Sequence, residues 1–185
     1  MTLWRITDGG PREEALRPAV AHEAAAAGLQ LVHLRVGPGP TDQYTRLLDL
    51  ALRAGAPMLW LEGDKLPTAA VLAGLAACDR PWCCAPYPIY PHKTGLPAPV
   101  YAQRDVAPDG SARGSARGAA ECARSGLGMV KFGGAFSGRR PPRVVFCSTL
   151  DAEVSDWARG IAGACHIHWP AIAHVDAPEP PMVAR

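Results

Sequence analysis

The sequence predicts an α/β fold, with a single-domain wound mixed sheet and helices on both faces. Short apolar or alternating runs, typical of strands, alternate with helical segments along the first 85 residues. The chain has 185 residues, of which 48% are hydrophobic and 19% are charged, which suits one apolar core. We therefore expect one domain over residues 1–176, made of a first half at 1–85, a flexible loop at 86–125 and a second half at 126–176, followed by a loose tail at 177–185.

The first strand, at 3–7, is expected to lead through a turn at 8–10 into a helix. Pro11 suits the first turn of that helix, where its missing N–H is not needed. Pro18 is expected to break or restart the helix, because inside a helix its ring removes a backbone hydrogen bond. Gly28 is expected to end it, since glycine is common just beyond a helix.

A second strand at 31–36 precedes the clearest helix of the chain, at 44–54. Thr41 or Asp42 can cap the start of this helix, and Gly55 can close it. Its apolar face recurs at the spacing of an amphipathic helix and consists of Tyr44, Leu47, Leu48, Ala51 and Leu52.

The next strand, at 58–61, stops at two carboxylates, Glu62 and Asp64, separated by Gly63. Ligands of open α/β sheets bind at strand ends, and two neighbouring carboxylates can share a divalent cation because such cations prefer oxygen ligands. The same residues also fit a turn in which Gly63 supplies the bend and Asp64 caps a helix that Pro67 begins. The sequence leaves both interpretations open.

The remaining elements are expected in the order helix 67–78, strand 82–85, strand 126–132, strand 144–147, helix 151–163 and a last strand within 165–175. The long intervening segment is rich in Pro, Gly, Tyr and Arg and includes a tandem Ser-Ala-Arg-Gly at 111–118. We expect a flexible loop there. Its arginines could meet phosphates, or they could simply be solvated.

Composition excludes several classes of function. A net charge of +2 is too small for a strongly electrostatic nucleic-acid binder, and no apolar stretch is long enough to span a bilayer. The start of the chain lacks the hydrophobic region of a secretory signal, so a cytoplasmic location is expected. The six cysteines show no Cys-x-x-Cys spacing, and they are expected to be reduced apolar fillers rather than a zinc ribbon.

Three of the six histidines, His166, His168 and His174, lie within nine residues near the end of the fold. On a strand, His166 and His168 point to the same face, which would allow joint metal binding. The alternative is that they are partly buried residues that only form hydrogen bonds.

From residue 31 to 176 the order of motifs resembles that of the GT-A-type glycosyltransferases, which are Rossmann-related, and especially their compact family-2-like members. In that family a strand ends in Asp-x-Asp or Glu-x-Asp, matched here by Glu62-Gly63-Asp64. A helix that begins near a proline follows, as at Pro67, and then a strand with a Tyr-Pro-like end, as at 85–88.

The later motifs of the family are also matched in order. A glycine-rich strand, matched at 126–132, is followed by an acidic residue that opens a helix, matched by Asp151. The domain closes on a strand with a histidine, matched by His174. The resemblance thus implies a GT-A-like fold with a nucleotide-sugar-binding half at 1–85 and an acceptor-side half at 126–176.

The resemblance implies a nucleotide-sugar donor, an unidentified acceptor hydroxyl, and Mn²⁺ or Mg²⁺ as cofactor. Asp64, with Glu62 directly or through water, would hold the metal that neutralises the diphosphate leaving group, and His174 would be a further ligand. Asp151 would be the catalytic base of an inverting reaction, although it could instead be the N-cap of its helix.

On the nucleotide side, the resemblance implies contacts from Asp8, Arg35 and Asp42, which follow the first two strands, and from Glu62. Two other functions stay open. One is a non-catalytic GT-A-like module that binds nucleotides or glycans. The other is a metal hydrolase built on His166, His168, His174 and an acid, although the chain lacks a His-Glu-x-x-His spacing.

Overall fold

The computed structural model describes residues 1–37, 42–89, 100–101, 104–106, 112–115, 121–144, 149–168 and 172–174. Its helices are α1 (Pro11–Ala26), α2 (Gln43–Ala54), α3 (Ala69–Ala77) and α4 (Leu150–Ala162), with a 3₁₀ turn at Gly134–Phe136. Its strands are β1 (Thr2–Thr7), β2 (Gln30–Arg35), β3 (Met58–Glu62), β4 (Lys65–Leu66), β5 (Trp82–Cys84), β6 (Pro88–Ile89), β7 (Val100–Tyr101), β8 (Arg104–Val106), β9 (Ala112–Ser115), β10 (Glu121–Cys122), β11 (Met129–Phe132), β12 (Cys165–Ile167) and β13 (Ala173–His174).

Seven strands form one mixed sheet in the order β10-β12-β5-β11-β3-β1-β2. Strand β1 runs parallel to β2 and β3, and β5 runs parallel to β12. Strand β11 is antiparallel to both of its neighbours, β3 and β5, and β10 is antiparallel to β12. The predicted fold class is therefore confirmed as an α/β fold with a mixed sheet flanked by helices.

The two faces of the sheet carry separate apolar clusters. Helices α1 and α3 pack on one face through Val20, Ala24, Val71, Leu72 and Leu75. Helices α2 and α4 pack on the other face through Leu48, Ala51, Leu52, Val154 and Ala158. Because β3 lies between both layers, Met58 to Leu61 are all fully buried, which explains their unbroken apolar run.

Helix α1 corrects one prediction, because it continues through Pro18 without a break. Pro18 is exposed, so its ring and the carbonyl that loses a hydrogen bond both face water. The helix is held to the sheet beyond that point by Val20 and Ala24. Gly28 ends the helix region at φ +69°, as expected.

The caps of the next two helices also differ from expectation. Asp42 precedes α2 but makes no capping hydrogen bond, whereas Gly55 closes the helix as predicted. Helix α3 begins two residues after Pro67, and its cap is Thr68, whose hydroxyl accepts from the Val71 N–H at 3.4 Å. The interpretation of Asp64 as the cap of this helix is therefore wrong.

The segment predicted as a flexible loop contains ordered strand pairs in its described parts. Strand β6 pairs with β7, and β8 pairs with β9, both antiparallel. Strand β9 lies within the tandem tetrapeptide, whose composition predicts a loop. The predicted strand at 144–147 lies largely outside the described residues, and so does the tail at 177–185. Among the helices of the described ranges, none is both long and apolar enough to cross a membrane.

Candidate functional site

The carboxyl ends of β1, β2 and β3 border a continuous cleft. One cavity of about 330 Å³ is lined by Ile6, Thr7, Asp8, Glu13, Val36, Tyr44, Glu62, Gly63 and Asp64. A second cavity of about 450 Å³ is lined by Asp8, Gly9, Gly10, Arg35, Val36 and Gly37. Because Asp8 and Val36 line both, the two cavities are neighbours along the same sheet edge.

Two carboxylates in this cleft converge on one cationic group. The Lys65 ammonium nitrogen lies 2.5 Å from an Asp64 oxygen and 3.4 Å from a Glu62 oxygen. Lys65 is only 2% exposed, and its nitrogen lies 4.5 Å from the centroid of the Tyr87 ring. The motif Glu62-Gly63-Asp64 therefore positions both acids around a single point of positive charge.

The Glu62 carboxyl is the most perturbed acid of the cleft. Burial raises its pKa from 4.5 to about 7, and the charges of Asp151 and Asp64 add to this effect while Lys65 opposes it. The Tyr44 hydroxyl donates to Glu62 at 3.4 Å and accepts from the Trp60 indole N–H at 2.5 Å. Burial, and then the charge of Glu62, raises the pKa of Tyr44, so this hydroxyl stays protonated and able to donate.

Asp151 lies on the other side of this acid cluster, in the first turn of α4. Its carboxylate accepts from the Leu127 backbone N–H at 3.2 Å, and the residue preceding the helix is Thr149. The N-cap interpretation of Asp151 is therefore wrong, because this side chain anchors the turn before β11 instead. Desolvation raises its pKa, although that hydrogen bond and the charge of Lys65 oppose the shift.

Close packing around Lys65 depends on a glycine. A Cβ placed at Gly128 would lie 2.4 Å from a Tyr87 ring carbon and 2.8 Å from Cε of Lys65. The Gly128 carbonyl also accepts from the Glu62 N–H at 3.0 Å. Gly128 thus lets the β11 backbone approach the acid cluster closely.

A network of hydrogen bonds that supports the acidic motif was not predicted from the sequence. The Glu13 carboxylate accepts from the Thr7 hydroxyl and from the Asp8 N–H, the latter at 2.7 Å. Arg5 is fully buried and donates to the carbonyls of Glu13 at 2.5 Å and Gly63 at 2.7 Å. These contacts tie α1 to the turn that carries Glu62 and Asp64.

The nature of residue 63 follows from this network. A Cβ at Gly63 would lie 2.5 Å from a carboxylate oxygen of Glu13, so a side chain at position 63 would displace this carboxylate from its hydrogen bonds to Thr7 and Asp8. The sequence shows the glycine at position 63, but it does not show the contact with Glu13, because Glu13 lies fifty residues earlier in the chain.

Asp8 and Arg35 meet in the second cavity. The Asp8 carboxylate accepts from the Gly10 N–H at 2.6 Å, which holds the turn after β1. Gly9 has φ +79°, and a Cβ there would lie 2.5 Å from Nε of Arg35, so the guanidinium lies directly against this turn. The structure therefore brings Asp8, Arg35, Glu62 and Asp64 to one cleft.

Asp42 is not part of that cleft. Its carboxylate is 2% exposed and contacts Arg46 at 2.9 Å and Arg143 at 2.7 Å. Burial opposes ionisation of Asp42, but the hydrogen bonds from these two arginines prevail and lower its pKa. It lines a separate cavity of about 270 Å³ beside α2, so the structure does not support a nucleotide contact for this residue.

The histidines are divided between two places. His174 lies on β13, which pairs with β4 so that His174 is opposite Lys65. The structure describes the backbone of His174 but not its side chain. His166 and His168 lie at β12, with ring centroids 4.9 Å apart. Burial, and then the neighbouring His166, lowers the pKa of His168. Among the described side chains, no group of three potential metal ligands within 4.8 Å of one another includes a carboxylate. This weighs against the hydrolase alternative, and it leaves Glu62 and Asp64 as a pair of potential ligands.

Comparison with known proteins shows likeness in fold only. No protein-family model matches the chain, and no curated protein matches it. The crystal structure of A197 from STIV aligns with a TM-score of 0.57 over 90% of this chain and 81% of that one, at 15% sequence identity. A glycosyltransferase involved in the glycosylation of the major capsid of PBCV-1 aligns with a TM-score of 0.49 over 91% of this chain and 82% of that one, at 11% identity. The first likeness shows a shared fold, and the second is too low to support an inference.

Proposed function

We propose that this protein is a metal-dependent glycosyltransferase, which moves a sugar from a nucleotide-sugar donor to an acceptor hydroxyl. The observation that carries the proposal is the placement of Glu62 and Asp64 side by side at the carboxyl edge of the sheet, where both line the same cavity. The adjoining cavities accommodate a ligand along the ends of β1 and β2. Ligands of open α/β sheets bind at this edge.

The charge of the cleft favours a bound divalent cation. Five carboxylates lie in or beside it, those of Asp8, Glu13, Glu62, Asp64 and Asp151. These carboxylates outnumber the cationic side chains around them, which are those of Arg5, Arg35 and Lys65, so a divalent cation would reduce their repulsion of a diphosphate. Carboxylate oxygens are ligands that Mn²⁺ and Mg²⁺ prefer, so Glu62 and Asp64 suit the cofactor that the motif implies.

In this proposal Asp64 and Glu62 hold the metal, and His174 joins them from β13, which pairs with β4. When bound, the metal neutralises charge that develops on the leaving diphosphate. The Lys65 ammonium keeps the two carboxylates together before the metal arrives. Asp8 and Arg35 orient the nucleotide in the neighbouring cavity.

Asp151 is the proposed catalytic base. Its raised pKa brings it closer to the working pH than an ordinary aspartate, which favours acceptance of a proton from the acceptor hydroxyl. The hydrogen bond from the Leu127 N–H fixes one carboxylate oxygen, so the other is free to point toward an acceptor. This arrangement corresponds to an inverting reaction.

The first test is a thermal-shift panel of UDP-, GDP- and TDP-sugars, each with and without Mn²⁺. A ligand that binds only the folded chain raises its melting temperature. We expect one nucleotide class to raise it, and only when the metal is present. If no nucleotide stabilises the chain under either condition, the proposal is wrong.

Variants locate the response and separate binding from turnover. Asp64→Asn should abolish the metal-dependent shift, whereas Asp49→Asn, the same change beside Arg53 on α2, should retain it. Release of nucleoside diphosphate from the donor that binds measures turnover even while the acceptor is unidentified. Binding without release over an acceptor panel would instead identify the non-catalytic module.

A further inference from the structure

A second group of metal-binding side chains lies away from the acidic cleft. Atoms of Cys78, Cys83 and His168 that can bind a metal all lie within 4.8 Å of one another. They come from three elements: Cys78 follows α3, Cys83 lies in β5, and His168 follows β12. The backbone N–H of His168 donates to the Cys84 carbonyl at 2.8 Å, and this bond fixes the backbone of His168 beside β5.

Hydrogen bonds to the described part of the chain do not explain this arrangement. Nε2 of His168 is buried and has no hydrogen-bond partner among the described residues. The thiol of Cys83 is fully buried and lies within 4.8 Å of the potential ligand atoms of Cys78 and His168. A buried imidazole nitrogen without a partner is unfavourable, and a metal ion would satisfy it.

The spacing suits zinc. With Zn–S near 2.3 Å and Zn–N near 2.0–2.1 Å, the ligand atoms of a tetrahedral site lie roughly 3.5–3.8 Å apart. Atoms that already lie within 4.8 Å of one another reach this spacing by small side-chain rotations. The two strands and the end of α3 need not move.

Charge balance also favours this group over the other cysteine cluster. Two thiolates and a neutral imidazole around Zn²⁺ carry no net charge, so the occupied site is compatible with burial. Cys84, Cys122 and Cys165, on the opposite face of the sheet, would leave a net negative charge in the apolar core.

We propose that Cys78, Cys83 and His168 bind Zn²⁺ and tie the end of α3 to β5 and β12. The group supplies three protein ligands, and water would take the fourth position of a tetrahedral site. Sulfur and imidazole ligands select zinc, whereas the oxygen ligands of the cleft select Mn²⁺ or Mg²⁺. The zinc site does not depend on the proposed function.

The test is metal content and zinc affinity of the full chain. We expect about one zinc per chain by mass spectrometry after purification under reducing conditions. The metal-free chain should compete with a chromophoric chelator for zinc at submicromolar concentration. Co²⁺ in place of zinc should give the absorption of a thiolate-to-cobalt transition, which the acidic cleft cannot produce because its described residues offer no sulfur ligand.

Variants assign the ligands. His168→Gln and Cys78→Ser should each lose zinc and the cobalt absorption, whereas Cys122→Ser should keep both. If Cys122→Ser loses zinc while His168→Gln keeps it, the proposal is overturned in favour of the cluster of Cys84, Cys122 and Cys165. Failure of the folded wild-type chain to bind zinc or cobalt would overturn it as well, and so would a disulfide between Cys78 and Cys83 in the reduced preparation. The wild-type measurements decide the matter even if a variant does not fold.

Discussion

Replacement of Glu62 by glutamine should make the stability of the protein less sensitive to pH. The folded chain holds the Glu62 proton up to a pKa of about 7, whereas the unfolded chain releases it near 4.5. Stability from this group is therefore fully present below 4.5 and is lost as the pH rises through about 7. Glutamine has no proton to release, so Glu62→Gln avoids this loss.

The magnitude follows from the two pKa values. The interval between 4.5 and about 7 corresponds to about 3 kcal/mol of unfolding free energy. Between pH 5 and pH 8.5 the advantage of Glu62→Gln over the wild type should grow by about 2–3 kcal/mol. Only 26% of the Glu62 side chain is exposed, so solvent screening does not remove the effect.

Urea unfolding at pH 5, 7 and 8.5, with a chelator present to exclude metals, measures this difference. Glu14→Gln is the matched control, because it makes the same chemical change at a carboxylate that is 43% exposed on α1. The control should shift stability by a similar small amount at each pH. A Glu62→Gln advantage that stays constant with pH, or turns into a disadvantage at pH 8.5, would refute burial as the cause of the raised pKa.

Three further substitutions test the packing and the proposed roles. Gly128→Ala should lower the free energy of unfolding in urea by about 1–3 kcal/mol and weaken Mn²⁺ binding, because the new Cβ would collide with buried Tyr87. The control Gly160→Ala, which has open space on α4, should raise the free energy of unfolding by about 0.5–1 kcal/mol. Equal effects of the two substitutions would contradict the close approach at Gly128. Asp151→Asn should lower turnover by about 100-fold or more. Donor binding and melting temperature should stay nearly unchanged, because the amide oxygen still accepts from the Leu127 N–H. A large fall in melting temperature with full turnover per folded chain would instead assign the residue a structural role. Ser155→Ala should lower the free energy of unfolding by about 1–3 kcal/mol in thermal unfolding. The buried hydroxyl of Ser155 donates to the Ser125 carbonyl at 2.7 Å and accepts from the Ser125 N–H at 3.1 Å. An unchanged melting temperature would show that water replaces these bonds.

Much of the fold could be predicted because its signals are local. The apolar run of β3 and the helical spacing of α2 depend on residues within one turn or one strand, so both elements lie within a residue or two of their predicted bounds. The prediction for Pro18 is wrong because its cost depends on which side of α1 faces water, and only packing of the helix decides that. The strands within the tetrapeptide segment escape prediction because their pairing, not their own composition, creates them.

The sequence by itself determined the order of the four helices and of β1, β2, β3, β5 and β11, and it placed Glu62 and Asp64 at a strand end. Only the tertiary structure brought Asp151 to the same cluster, left Asp42 out of it, and gathered Cys78 with Cys83 and His168. The physical reason is range. Periodicity and chain breaks report on neighbours along the chain, whereas the pKa of Glu62 and the grouping of metal-binding atoms arise from charges and side chains that only the folded sheet brings within a few ångströms.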